Sequence, residues 1–397
     1  MAETADVVVV GAGVVGCSVA YYLSVLGARV KLLEREAIGS GASAHATGSL
    51  SLLGAEFSPG PSFEFALTAY REFPELVQRL EESTGMDLLY QRRPSLRLAL
   101  DEDEEYLIKD LMSWQQTHVA MKWIDQQNVH EIEPRLTQNV RGAVYEDESA
   151  QLDSYRLNLS LAQAAEKLEC PLQLREVTGL LTRGSRVVGV DTATGEVSCD
   201  TVVIAAGTWS PRLGEFLDFS IPVTHLKGER LMLRYGGAPL PVLISSPKRG
   251  HMISRLDGLL SVGSTGGRDY DQEDLFRGED FDRQPTEAAK IELLQRAIDV
   301  FPDLEEAELV HHLAGSRPLS PDRMPIIGPV PGWDGVVLAT GHSTKGIHLG
   351  PLTGRVVAEY IHSGRCQVPS LMEAFLPQRF AALAGADFHA SGRLVEE

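Results

Sequence analysis

The sequence predicts a mixed fold, α/β in its nucleotide-binding part and α+β overall: a Rossmann-type dinucleotide-binding domain and a second, strand-rich domain. Three observations predict it. A run of four valines, Val7 to Val10, feeds directly into Gly11-Ala12-Gly13-Val14-Val15-Gly16, and a second apolar run after it ends in Glu34. Two further apolar runs, 201–206 and 336–340, also stop at glycines, Gly207 and Gly341. The stretches between these junctions, above all 226–266, read as short strands separated by turns. Ligands of open α/β sheets bind at the carboxyl ends of the strands. Three strand–glycine junctions far apart in the chain therefore point to one nucleotide domain assembled from separate segments.

The valine run is too short for a membrane and reads as a strand buried on both faces. Gly11 permits the tight turn, Gly13 lets a pyrophosphate approach the backbone, and Gly16 lets the following helix pack on the strand. That helix is predicted over 14–26, with Val15, Val19, Leu23 and Leu26 as its buried face and Gly27 as its stop. Its N-terminus offers N–H groups and a positive dipole end to phosphates. Glu34 lies 23 positions after Gly11, where a ribose-binding acid is expected, with Arg35 beside it. Residues 39–50 are nearly all small, as backbone must be where it approaches something bulky and flat.

Further helices are predicted over 63–83, 101–118, 154–168, 286–301 and 352–361. Residues 88–100 alternate like strands, 131–134 reads as a turn, and 187–190 with 196–199 form a hairpin around Thr194-Gly195. No internal repeat or low-complexity tract is found.

The 397 residues suit two domains sharing a large core. A formal net charge of −19 argues against nucleic acid and anionic membranes as partners. The four cysteines, Cys17, Cys170, Cys199 and Cys366, are scattered, so neither a metal site nor a disulfide framework is expected. No apolar run reaches about 18 residues, so no membrane span is expected. The nucleotide strand begins within a few residues of Met1 with no signal pattern before it, and a cytoplasmic location is the expectation.

Taken in order, the motifs resemble those of the D-amino acid oxidase superfamily of flavoproteins, which includes glycine oxidase and monomeric sarcosine oxidase. The resemblance runs over about residues 6–375. It assigns Gly11, Gly13, Val14, Val15, Gly16, Glu34 and Arg35 to the pyrophosphate and ribose of FAD. Residues 40–50, with Ser43, His45, Ala46, Thr47 and Gly48, resemble the segment that runs along the pyrophosphate and under the isoalloxazine. Val177 resembles the residue whose backbone meets adenine, and Ala206, Gly207 and Trp209 resemble a second FAD-contacting turn. Lys227-Gly228 resembles the entry into the substrate domain. Gly341, His342, Thr344, Lys345, Gly346 and Ile347 resemble the turn at the flavin's N1–C2=O edge. The implied fold is a Rossmann-type FAD-binding domain (1–85, 150–222, 310–384), an antiparallel-sheet substrate domain with helices (86–149, 223–309), and a flexible tail over 385–397.

The resemblance also implies the chemistry: oxidation of a small carboxylate-bearing amine (a D-amino acid, glycine or an N-alkyl amino acid) by hydride transfer from its α-carbon to flavin N5, with oxygen or a quinone-type carrier as final acceptor. The imine then hydrolyses. No catalytic triad is expected, because the cofactor carries the hard step and the protein orients the substrate. Arg317, in Arg317-Pro318, is the expected carboxylate clamp, since a guanidinium forks onto a carboxylate. Arg249 is a candidate for a second substrate carboxylate and His251 a candidate substrate-facing side chain. His45-Ala46-Thr47-Gly48 is similar to the His-Ala-Ala-Gly of dehydrogenases with covalent FAD, but Ala44 stands where they have tryptophan, so non-covalent FAD is expected. Two alternatives stay open: a 2-hydroxy acid dehydrogenase with His251 as base, and a non-catalytic FAD-binding subunit of a larger amine dehydrogenase complex. Assembly into a homo-oligomer is compatible with the sequence.

Overall fold

A computed structural model describes residues 3–265, 283–366 and 372–383. The tail over 385–397 lies outside the described residues.

The valine strand Val7–Val10 is fully buried, as its composition requires, and sits inside a six-stranded sheet. Its neighbours are Val30–Glu34 on one side and Thr201–Ile204 on the other, all parallel. Leu172–Leu174 closes one edge, and Val336–Thr340 then Ile326–Pro329 extend the other. Only that last strand runs antiparallel. The three apolar runs that stop at glycines are therefore adjacent strands, with Gly11, Gly207 and Gly341 just beyond their carboxyl ends.

Helix Val14–Val25 differs from the expected one-faced helix. It is buried from Val14 through Ser24, and Leu26, expected on the buried face, is 38% exposed as the C-cap residue. The cause is packing from several sides, by helices Ser154–Glu166 and Gly346–Ser363 as well as the sheet. The last helix begins at Gly346 rather than 352 and carries Pro351 within it. Its early glycines are packing residues: a Cβ on Gly354 would collide with Ser18, and one on Gly350 would press on Val14. The predicted turn at 131–134 is instead the end of a short helix, Gln126–Ile132, capped by Asp125.

The second large sheet has eight strands, in the order Glu308–Leu319, Thr224–Arg234, Leu260–Gly263, Gly250–Ser254, Leu243–Ser246, Ser95–Ala99, Gly142–Glu146, Met121–Asp125. It is antiparallel except for the pair Leu243–Ser246 and Ser95–Ala99. One face packs Leu96, Leu231, Leu233, Ile244, Met252 and Val262 against helix Glu287–Val300. The opposite face carries the polar residues considered below. The strand Glu308–Leu319 pairs with Thr224–Arg234 along its length, so the domain boundary expected between 309 and 310 falls inside a strand of this sheet. No described helix is long and apolar enough to cross a membrane.

Candidate active site

A cavity of about 1090 Å³ extends from the carboxyl ends of the parallel strands to the polar face of the eight-stranded sheet. At its nucleotide end the wall is backbone. Gly11 has φ +104°, and a Cβ there would press against the Ala205 carbonyl. Gly13 is the N-cap of the first helix, and a Cβ would lie 3.2 Å from Ser43 Oγ, which accepts a hydrogen bond from the Val14 N–H at 2.9 Å. Gly16 does not line the cavity; any side chain on it would collide with the Gly11 carbonyl, so it fixes the strand–helix approach. Glu34 lines the cavity and is held by the backbone N–H groups of Ala12 at 2.8 Å and Glu36 at 2.9 Å.

Around this end, Val14, Val15, Arg35, Val177, Ala206, Gly207 and Trp209 all line the cavity. The Arg35 guanidinium stacks 4.4 Å from the Trp209 ring centroid, giving a flat, cationic wall. Gly207 has φ +54° and open space where a side chain would stand.

The small-residue segment forms one side of the middle. Ser43, His45, Ala46 and Thr47 line it, whereas Gly48 sits behind, at φ +82°, pressed against the Leu152 carbonyl. Burial and the nearby Arg230 charge hold the His45 imidazole below its ordinary pKa. His342, Thr344, Lys345, Gly346 and Ile347 line the cavity as well. Gly341 is again a backing residue, with φ +73° and Ile326 and Ser320 side chains at 3.1 and 3.3 Å from a Cβ. His342 Nε2 lies 2.9 Å from Thr353 Oγ1, and burial pushes its pKa down to about 3.

At the far end the wall is side chain. Arg317 is carried by strand Glu308–Leu319 and donates from Nη1 to the Thr265 carbonyl at 2.8 Å and from Nη2 to Ser264 Oγ at 2.9 Å. Burial pulls its pKa down to about 10, which leaves it cationic at neutral pH. Its guanidinium occupies the space beside Gly228 on the neighbouring strand, where any Cβ would collide with it. That is a physical reason for glycine in the Lys227-Gly228 pair. His251 lines the same wall; burial and the Arg230 and Arg317 charges push its pKa down to about 3, so it is neutral above that pH.

Arg249 departs from expectation. It does not line the cavity. It precedes strand Gly250–Ser254, and the acids that open helix Glu102–Gln115 draw it away: Nη1 lies 3.3 Å from Glu104 Oε1 and 3.5 Å from Asp101 Oδ2. Arg97 and Arg230 are among the cavity arginines that were not foreseen. Arg97, buried, forms an ion pair with Glu56 and donates to Ser245 Oγ at 3.3 Å. Arg230, two residues from Gly228, also lines the cavity. The alternation Leu226, Gly228, Arg230 along one strand face was the available signal, but only once that strand's inward face was known.

Residues 6–360 match the family described as FAD dependent oxidoreductase. The chain is 35% identical over 366 residues to a glycine oxidase from Pseudomonas aeruginosa, covering 90% of this chain and 95% of that one. It is 32% identical over 367 residues to a glycine oxidase from Geobacillus kaustophilus, with 91% and 94% covered. The crystal structure of a glycine oxidase from Bacillus cereus aligns with a TM-score of 0.83 at 29% identity, over 99% of this chain and 100% of that one.

Proposed function

Because the chain belongs to the FAD-dependent oxidoreductase family, we propose that its cavity holds FAD from the Gly11–Gly16 end and that Arg317 holds the carboxylate of a small amino acid for oxidation at its α-carbon. The cavity's build fits such a cofactor. A helix N-terminus and glycines that admit no Cβ frame one end, as a pyrophosphate requires, and a carboxylate on the second strand stands where a ribose would be bound. Residues 43–47 and 342–347 flank the middle.

The observation that carries the substrate reading is the half-buried Arg317 guanidinium, which lines the cavity seated in the notch left by Gly228. Its bonds to Ser264 and Thr265 fix its plane, so a carboxylate forked onto it is fixed in orientation too. FAD, when bound, supplies the two-electron acceptor for the hydride leaving the α-carbon. The protein's own part is to bind, to orient and to keep the amine neutral beside cationic and apolar walls. Water hydrolyses the resulting imine after release. His45 is read as a neighbour of the cofactor without a covalent bond; acid precipitation should release all flavin into the supernatant.

The 2-hydroxy acid reading needs a base to take the hydroxyl proton, and His251 supports it poorly: an imidazole held near pKa 3 is a weak base. The test is an anaerobic screen of glycine, D-, L- and N-methyl amino acids and 2-hydroxy acids, following bleaching of the flavin band. Bleaching by amino acids supports the proposal. Bleaching by hydroxy acids alone overturns it. Repeating the active cases in air while measuring peroxide separates oxygen from a quinone-type carrier as acceptor.

A further inference from the structure

We propose that Arg230, with His251 beside it, forms a second anion subsite, so that the preferred substrate is an amino acid bearing a second acidic group. The proposal rests on Arg317 holding the first carboxylate.

One row across the eight-stranded sheet carries the argument. Arg230 pairs with Gly263, Gly263 with His251, His251 with Ser245, and Ser245 with Arg97. Cross-strand partners share a face, and this face is the cavity wall. Gly263 has no side chain, so Arg230 and His251 stand next to each other; a Cβ on Gly263 would lie 2.9 Å from the Arg230 Cβ and 3.5 Å from His251 Nε2. Both residues carry a buried nitrogen without a hydrogen-bond partner among the described residues, Nε of Arg230 and Nε2 of His251. Native proteins rarely leave such groups unmatched, and a bound ligand is one of the standard explanations.

Charge points the same way. Arg230 is 7% exposed. Its Nη1 is spent on neutral atoms, Ser261 Oγ at 3.1 Å and Met232 Sδ at 3.3 Å. No carboxylate among the described residues forms an ion pair with it. The other cations nearby are engaged: Arg97 with Glu56, and Arg255 with Asp153 and Asp257. Burial and Arg255 pull the Arg230 pKa down to about 10, which still leaves a full positive charge at neutral pH. A buried guanidinium that lines a cavity without a direct ion-pair partner among the described residues is costly unless an anion arrives with the ligand. Arg249, expected to meet a second carboxylate, is tied to Asp101 and Glu104 instead. Arg230 takes that part.

The spacing limits the ligand. The Arg317 guanidinium lies over Gly228, and Arg230 follows two residues on, about 7 Å along the strand. A short dicarboxylic amine, such as aspartate or N-carboxymethylglycine, reaches from one to the other. The Arg230 guanidinium then faces the second carboxylate, with the neutral His251 imidazole beside it.

The test measures kcat/KM of the FAD-loaded enzyme for glycine, N-methylglycine, N-carboxymethylglycine, D-aspartate and L-aspartate. The wild type should prefer one of the diacids over N-methylglycine by at least about 10-fold. In Arg230→Met the diacid-to-monoacid ratio should fall by at least about 30-fold, chiefly through KM, the scale of losing one partner of a buried charge pair. Arg230→Lys should restore part of it. Wild-type preference for monoacids overturns the proposal whether or not the variants fold, and so does an unchanged ratio in Arg230→Met. Failure of every amino acid to bleach the flavin, in protein that retains it, overturns the carboxylate reading of Arg317 as well. The two failures are thus told apart.

Discussion

The two ends of the cavity are made of different material. The nucleotide end is built on a backbone turn: Gly11 and Gly13 line it, Gly16 packs behind them, and all three lie within six residues and act by what they lack. The substrate end is side chain: Arg317, Gly228, Arg230 and His251 come from three strands scattered over ninety residues, brought together by sheet register. A contiguous stretch can only be used one way here, because three glycines at fixed spacing leave one conformation for the turn. A register-built wall can change one side chain at a time while the strands keep pairing. On the proposed reading, the first end therefore sets the cofactor class and the second the substrate.

That contrast can be broken by experiment, starting with the largest effect. Gly16→Val should abolish recovery of flavin-containing protein, since its side chain would collide with the Gly11 carbonyl; absorbance at the flavin band reads this directly. Normal flavin content in that variant would show that the backbone end tolerates substitution after all. Arg317→Ala should do the reverse: flavin content unchanged, substrate binding weakened by about 2–5 kcal/mol, seen as a raised KM. An unmoved KM removes Arg317 from the clamp. Gly228→Ala sharpens the point, because it adds a methyl where the guanidinium lies. It should raise KM by about 1–3 kcal/mol, as overpacking does, at unchanged flavin content.

The next effect is on stability. Burial holds His251 and His342 near pKa 3 and His348 near 4, against about 6.5 when unfolded. As pH falls below about 6.5, the unfolded chain takes up protons that the fold refuses. Stability should drop by up to about 1.4 kcal/mol per pH unit for each histidine, down to about pH 4. Urea unfolding between pH 7.5 and 4.5 measures it, and His251→Gln should flatten the slope by one histidine's share. The smallest effect is expected at Arg249→Ala. Its ion pairs lie outside the cavity, and Glu104 keeps hydrogen bonds from Leu100 N, Ser246 Oγ and Lys248 N. A change in kcat/KM beyond about 3-fold, roughly 0.7 kcal/mol, would mean that Arg249 acts on the substrate despite its position.

The same contrast explains what could be read in the sequence. Val7 to Val10 and the glycines after them carry their structure locally, and the strand, turn and helix lie where the spacing puts them. Gly207 and Gly341 were legible for the same reason. The residues that were missed depend on neighbours far along the chain. Leu26 matched the apolar spacing but sits where the helix leaves its packing partners. The start of the last helix was hidden by Gly346, Gly350 and Pro351, which look like breakers until helix Val14–Val25 is seen pressed against them. Arg249 and Arg230 could not be told apart by sequence, since both are arginines of the same strand-rich stretch. Only the pairing of Arg230 with Gly263, and the pull of Asp101 and Glu104 on Arg249, separates them.

The notch at Gly228 also bears on descent. A residue with no side chain is kept there by a side chain that lies eighty-nine positions later, so the two sites are not free to drift apart. As long as Arg317 stays, any change at 228 is penalised. If a lineage gave up the arginine, the pressure on 228 would vanish and larger residues could enter at once. The pair should therefore be inherited as a unit across related chains, and a homologue with a bulky residue at the position of Gly228 should be one whose substrate has no carboxylate to hold.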